Sequence, residues 1–329
     1  MIITRTPYRV SFVGGGTDIK SFYEEYGGKV LSASIDKFLY VIVKKQIGFV
    51  QNKYRINWSQ VEFCDKIDEI KNPIAREAIR YFKIDYPIEI TTIADIPANT
   101  GLGSSSAFAV GLVNALYSLK NIRASKYEIA STAAKLEIDI LKRNIGKQDH
   151  FSSCYGGMNI FEFNKNGKVE VNPLPISVKN RIKLQNNLVF FYTNLQRDAS
   201  KVLRKQIKLN KNKIIYLEKI KDLVKEFEKI LISGKNFEKL GNLLHLNWEY
   251  KKKVNEDVSS KKINKLYVES KKLGASGGKI LGAGGGGFFM LFAKEKAKKK
   301  LIKKFKKENH LSIKIDTVGT RLTYYDQSL

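Results

Sequence analysis

Two α+β domains are predicted for this chain, and three observations predict them. Its 329 residues are about twice the usual length of a single domain. Strand-like and helix-like segments mix without a strict βαβ rhythm, which disfavours a doubly wound sheet. In the segment NPLPISVKN, Pro173 and Pro175 break both ladders and helices, so the linker falls there and the halves are 1–172 and 173–329.

The elements follow in order. Residues 2–13 read as a strand ending at the glycine turn GGGTD, with a short helix over 19–26, a stop at Gly27 and Gly28, and strands through 43. A polar, weakly patterned section covers 46–68, and 75–82 reads as helix. Residues 86–93 form a strand in which Ile88 and Ile90 alternate with Glu89 and Thr91. Pro97 ends it, and the loop ANTGLGSSS leads into an apolar helix over 105–119. A second helix starts near Ser125 and runs through 141, followed by the loop RNIGKQDHFSSCYGG and a strand pair at 158–163 and 169–171. In the second half, 188–193 reads as a strand and helices dominate to 273. The glycine hairpin GASGGKILGAGGGGFFMLFA, a last helix and a strand at 311–315 close the chain.

Composition narrows the function classes. Hydrophobic residues at 43% can build a core, which excludes wholesale disorder. No apolar run approaches the roughly 18 residues of a membrane span, and Arg5, Pro7 and Arg9 stand where a signal peptide needs its apolar segment. Cys64 and Cys154 are too few for a disulfide scaffold or zinc site, and the three histidines are scattered, so a reduced cytoplasm is expected. The net charge of +27 brings nucleic acid into consideration. Its distribution argues otherwise. Leu217, Ile220, Val224, Phe227 and Leu231 form one helical stripe among the lysines, with Glu218 and Lys221 three apart. Ala297, Leu301, Ile302 and Phe305 do the same for KEKAKKKLIKKFKKENH. Solvated helix faces are therefore expected, with a non-catalytic basic nucleic-acid binder kept as the rival class.

The chemistry concentrates in IPANTGLGSSSAF. Gly101 and Gly103 let backbone N–H groups approach an anion, and the helix N-terminus that follows adds unpaired donors, with Leu102 between the glycines and Ser104, Ser105 and Ser106 at the helix start. No lysine follows, so this is not a Walker loop. Read on spacing alone, the same residues also fit a simple turn with Ser104 as helix cap. Two further glycine clusters, GGGTD at 14–18 and GAGGGG at 282–287, raise the prospect of one shared nucleotide pocket. Asp18 either faces a ligand or caps the following helix. Glu137 and Asp149 could divide Mg²⁺ binding and hydroxyl activation, although such carboxylates more often face water.

The order PYRVSFVGGGTD, PANTGLGSSSAF, GAGGGGF resembles the three motifs of the GHMP kinases over essentially the whole chain. Within that family the first motif looks most like the branch of heptose 7-phosphate kinases and bacterial fucokinase domains. The resemblance implies an N-terminal ribosomal-S5-domain-2-like domain, a C-terminal ferredoxin-like domain and ATP between them. It implies that Gly101, Leu102, Gly103, Ser104, Ser105 and Ser106 bind phosphate, with Ser105 and Glu137 as ligands of Mg²⁺; Asp139 ranks second to Glu137. It implies Asp149 as base, Arg9 beside the transferred phosphoryl group, Asp18 on the sugar, and Gly284 to Gly287 supporting the loop and acceptor pocket. Gly15 and Gly16 replace the Glu-His of galactokinases, which argues against galactose and suits an acceptor that already bears a phosphate. Arg197, then Lys147, are the candidates for reading that phosphate. The expected partners are ATP and a sugar phosphate, heptose 7-phosphate phosphorylated at C1, or otherwise the substrate of a fucokinase-like or other sugar 1-kinase. Neither nucleic acid nor membrane is expected, and the protein should be a monomer or homodimer.

Overall fold

The computed structural model describes residues 1–195, 210–306 and 309–326. Strand β1 (Ile2–Val13) runs into the glycine turn and helix α1 (Lys20–Tyr26), then the long β2 (Gly28–Lys45) returns antiparallel beside it. The section read as unpatterned holds β3 (Tyr54–Asn57) and β4 (Val61–Cys64). Its pattern is inverted in β4: Val61 and Phe63 are exposed, whereas Glu62 is buried and accepts from Trp58 Nε1 and from the Lys71 and Asn72 amides. Helix α2 (Pro73–Tyr81) precedes β5 (Ile88–Ala94).

Helix α3 (Ser104–Leu119) is buried nearly all round, which explains its unbroken apolar run. It lies on β1 and β2 so closely that a Cβ at Gly111 would meet Thr6 Oγ1 at 2.9 Å. The expected helix after Ser125 is α4 (Lys126–Ala134), opened by a capping box of Ser125 and Glu128 and continued by a π turn, Lys135–Ile140. The expected loop beyond it contains another helix, α5 (Gln148–Tyr155). Its buried residues include His150, Ser152 and Ser153, and Ser152 bonds Ser32 and Ser34, so its packing face carries no apolar stripe to read. Strands β6 (Met158–Phe163) and β7 (Val169–Pro173) complete the first half.

The second half begins with α6 (Val178–Asn187), β8 (Leu188–Tyr192), α7 (Lys211–Ser233), α8 (Lys239–Val254) and α9 (Lys261–Lys272). Strands β9 (Gly277–Ile280) and β10 (Phe288–Phe292) flank the glycine turn, followed by α10 (Glu295–Phe305) and the short β11 (His310–Leu311). The stripes of both lysine-rich helices point inward as expected: Leu217, Ile220, Val224, Phe227 and Leu231 are buried, as is Leu301. Glu218 and Lys221 pair at 2.8 Å.

One sheet has the order β12 (Arg321–Tyr325)–β1–β2–β5–β3–β4, with β6 joining β2 and β7 joining β6; the other has β11–β8–β10–β9. The four-stranded sheet is covered on both faces. Phe190, Met290 and Phe292 enter the main core shared with the first half, while Val189, Phe191, Phe289 and Leu291 pack in a second core with Trp248, Ile263 and Leu301. Double burial is why FFMLF is wholly apolar instead of alternating. The last described strand, β12, returns to pair with β1, so the expected division at 172/173 separates neither the sheets nor the cores cleanly. Leu322 and Tyr324 alternate with Arg321 and Thr323, but the run is only five residues long and largely exposed, so nothing in it points to a core face. Among the described residues no helix is long and apolar enough to cross a membrane.

Candidate active site

The loop before α3 gets its shape from three left-handed positions, Asn99 (φ 62°), Gly101 (φ 82°) and Gly103 (φ 82°). At Gly101 a Cβ would lie 2.6 Å from the Leu281 carbonyl oxygen. The hairpin between β9 and β10 thus presses against the loop, and Phe288 N donates to Thr100 O at 2.9 Å. Gly103 is the helix N-cap, and no side chain caps it. Ser104 therefore sits inside the first turn, not at the cap, and the helix start presents its amides with Ser104 half-buried, Ser105 exposed and Ser106 buried. Leu102 is fully buried, and its carbonyl accepts from Arg9 N at 3.1 Å.

Arg9, on β1 and almost wholly buried, ties this loop to α5. Its Nη1 donates to Gly101 O at 2.7 Å, while Nε and Nη2 grip both oxygens of Asp149 at 2.6 Å. Asp149, expected in a loop, sits in the first turn of α5, where the helix fixes its direction. The next residue points the other way: His150 Nε2 lies 2.8 Å from Glu137 Oε2. Glu137 projects inward from the π turn and is fully buried. Its other oxygen accepts from Ser105 Oγ at 2.5 Å and from Arg143 Nη1 at 2.5 Å. Burial alone would push this carboxyl up, but the bonds from His150 and Ser105 and the Arg143 charge hold it down to about 2. An ionised carboxylate only accepts, so His150 carries a proton on Nε2.

Asp18 does not cap α1, whose N-cap, Ile19, makes no side-chain cap bond. It is buried in the cleft, where Gly16 N donates to Oδ1 at 3.0 Å and Gln148 N to Oδ2 at 3.1 Å. A side chain at Gly146 would collide with it. Burial, then the charge of Asp149, push the Asp18 carboxyl above the usual range. The cleft joins Arg9, Asp18 and Asp149 with Gly15, Gly16 and Gln148, and with two lysines from the second half, Lys251 on α8 and Lys279 on β9.

Several expected site residues lie elsewhere. Lys147 turns away from the cleft: its ammonium donates to Gly167 O at 2.8 Å and sits 5.0 Å over the Tyr23 ring. Asp139 lines the same side depression as Lys147, away from Ser105, which leaves Glu137 as the carboxylate that meets that hydroxyl. In the third motif Gly282 and Ala283 reach the cleft, whereas Gly284 and Gly285 turn back onto Val258, with Gly285 N donating to Val258 O at 2.7 Å. Arg197 lies outside the described residues. Sequence reading passed over Arg143, His150, Gln148, Lys251 and Lys279. The last two stand in lysine-rich or glycine-rich strings, and only their burial distinguishes them.

The family model for the GHMP kinases N terminal domain matches residues 72–157, and that for the GHMP kinases C terminal matches residues 220–310. A D-glycero-alpha-D-manno-heptose 7-phosphate kinase of Campylobacter jejuni is 32% identical over 319 residues, 93% of this chain and 94% of that protein. The chain belongs to the GHMP kinase family. A mevalonate kinase of Saccharolobus solfataricus is 27% identical over 78% of this chain and 77% of its own. Among solved structures, a D-glycero-D-manno-heptose 1-phosphate kinase from Bacteriodes thetaiotaomicron superposes with a TM-score of 0.79, covering 99% of this chain and 100% of that one. At 22% identity it shows the shared fold. As a GHMP kinase the chain takes ATP as its phosphoryl donor.

Proposed function

We propose that this GHMP kinase transfers the γ-phosphoryl group of ATP to the C1 hydroxyl of D-glycero-D-manno-heptose 7-phosphate, forming the 1,7-bisphosphate for nucleotide-activated heptose and surface polysaccharide. The full-length similarity to the Campylobacter heptose 7-phosphate kinase carries the choice of acceptor. Gly15 and Gly16 agree with it, because they add no further acidic side chain to the Asp18 and Asp149 already in the cleft.

Phosphoryl transfer depends on in-line positioning and on neutralising charge at the phosphoryl oxygens. The amides of residues 101–106 and the dipole of α3 would hold the β-phosphate. Ser105 and Glu137 offer a hydroxyl and a firmly ionised carboxylate, hard oxygen donors suited to Mg²⁺. Arg143, one-third exposed, bridges the pair by donating to both Ser105 Oγ and Glu137 Oε1. When bound, Mg²⁺ would neutralise the β- and γ-oxygens. Arg9 would offset charge at the γ-position while its two bonds aim Asp149 at the cleft. Each Asp149 oxygen keeps a lone pair to orient the C1 hydroxyl and accept its proton as the new O–P bond forms and the bond to the β-phosphate oxygen breaks. Asp18 would accept from a sugar hydroxyl.

The test is an ATP-coupled screen of free and phosphorylated sugars, with ³¹P NMR to place the new phosphate. Turnover strongest on heptose 7-phosphate, with a new anomeric phosphate, is expected. Preference for an unphosphorylated sugar such as fucose would overturn the assignment.

A further inference from the structure

Lys251 and Lys279 are buried ammonium groups on the second-half wall of the cleft, 7% and 3% exposed. Lys251 Nζ donates to Gly282 O at 2.5 Å, and Lys279 Nζ to Phe12 O at 2.9 Å. Among the described residues no carboxylate lies within ion-pair distance of either. Each ammonium carries three donors, so two on each remain uncommitted. The cleft's own carboxylates are engaged: Asp149 by Arg9, and Asp18 by Gly16 and Gln148.

A buried cation without a counter-charge is unfavourable unless something else supplies the charge. Backbone anchoring alone does not explain two of them side by side, because an amide side chain would donate to the same carbonyl without the cost of burying a charge. Burial, then the charge of Arg9, hold Lys251 down to about 8 against the opposing charges of Asp18 and Asp149. Burial, then the charges of Lys251 and Arg9, hold Lys279 far below the usual lysine value against that of Asp18. Both effects have the sign that an arriving anion would reverse. The four uncommitted donors match the three acceptor oxygens and double charge of a phosphate monoester.

We infer that Lys251 and Lys279 form a seat for the phosphate dianion that the acceptor brings into the cleft. This gives the phosphate-reading role, expected at Arg197 or Lys147, to two lysines on the cleft's far wall. It rests on the reading of the acceptor as a phosphorylated sugar.

The closing experiment separates the two ideas. Affinities of the wild-type protein, Lys251→Met, Lys279→Met and Lys251→Gln are measured by calorimetry without nucleotide, for heptose 7-phosphate and for unphosphorylated heptose, and separately for ATP. Each lysine variant is expected to lose roughly 10- to 100-fold for the phosphorylated sugar, with little change for heptose or ATP. Equal losses on both sugars, no loss, or a loss confined to ATP would overturn the seat. Urea midpoints at or above wild type establish that the variants fold. In parallel, acylation of Lys251 near pH 8 is followed by peptide mass spectrometry with and without inorganic phosphate. Protection is expected, and its absence counts against the seat. Inorganic phosphate contains no sugar, so protection would survive if heptose proved to be the wrong acceptor.

Discussion

Glu137 and the Lys251–Lys279 pair are all buried charges within one active-site region, yet the fold treats them oppositely. Glu137 is met by Ser105, Arg143 and His150, and its charge is held firmly within the chain. Among the described residues the two lysines bond only to backbone carbonyls. The first arrangement is complete as folded, and the second becomes complete with a ligand. Glu137 thus keeps its charge balanced by the chain whether or not an ion is bound, whereas the lysine pair has its charge balanced only when an anion arrives.

The largest effect that would sharpen this contrast is on stability. Glu137→Gln removes the charge from a buried network and should lower the unfolding free energy by about 3 to 5 kcal/mol, read from urea unfolding. The pH dependence has a definite sign. A carboxyl depressed to about 2 contributes stability fully above its unfolded value near 4.5, and loses it as pH falls from there through about 2. Wild type should lose that increment across this window and Glu137→Gln should not. Next, Asp149→Asn should cut turnover by at least ~100-fold with the ATP affinity little changed; unchanged turnover removes Asp149 from the chemistry.

On the lysine wall the stability effect should reverse. Lys251→Met eliminates a buried charge that Asp18 and Asp149 offset only in part, and should stabilise the unliganded protein by about 1 to 2 kcal/mol at pH 7. Because Lys251 is depressed to about 8, the unfolded chain binds the extra proton between about pH 8 and 10.5, so wild-type stability from this group rises with pH there. The advantage of the variant should shrink over the same range. A destabilised Lys251→Met would break the contrast. The smallest effect is expected from Arg143→Gln, about 1 kcal/mol or less, since its side chain is one-third exposed and partly screened.

The site was legible where chemistry imposes a local pattern. Gly101 and Gly103 had to be glycines because the loop needs left-handed backbone and a close approach to the Leu281 carbonyl. Ser105, Glu137, Arg9, Asp18 and Asp149 were singled out through motif order, and the structure brings them to one cleft and its adjoining carboxylate nest. Lys147 was misjudged because its neighbours in sequence, Gln148 and Asp149, do face the cleft, yet its own side chain lies over Tyr23. Lys251 is followed by Lys252 and Lys253, which sequence alone cannot rank; α8 buries the first, while Lys252 pairs with Glu249 near the surface.

The sequence by itself determined the backbone-level features: the glycine turns, the helix that follows the loop, the inward stripes of the lysine-rich helices and the apolar run of FFMLF. Each follows from constraints that act within a few residues, namely allowed φ values, helical or strand periodicity, and local apolar composition. Only the tertiary structure decided which charges share a cleft, that β12 returns to β1, and that Glu137 is paired while Lys251 and Lys279 are not. Those facts depend on contacts between residues up to hundreds of positions apart, and the electrostatic state of a buried group is set by what surrounds it in space.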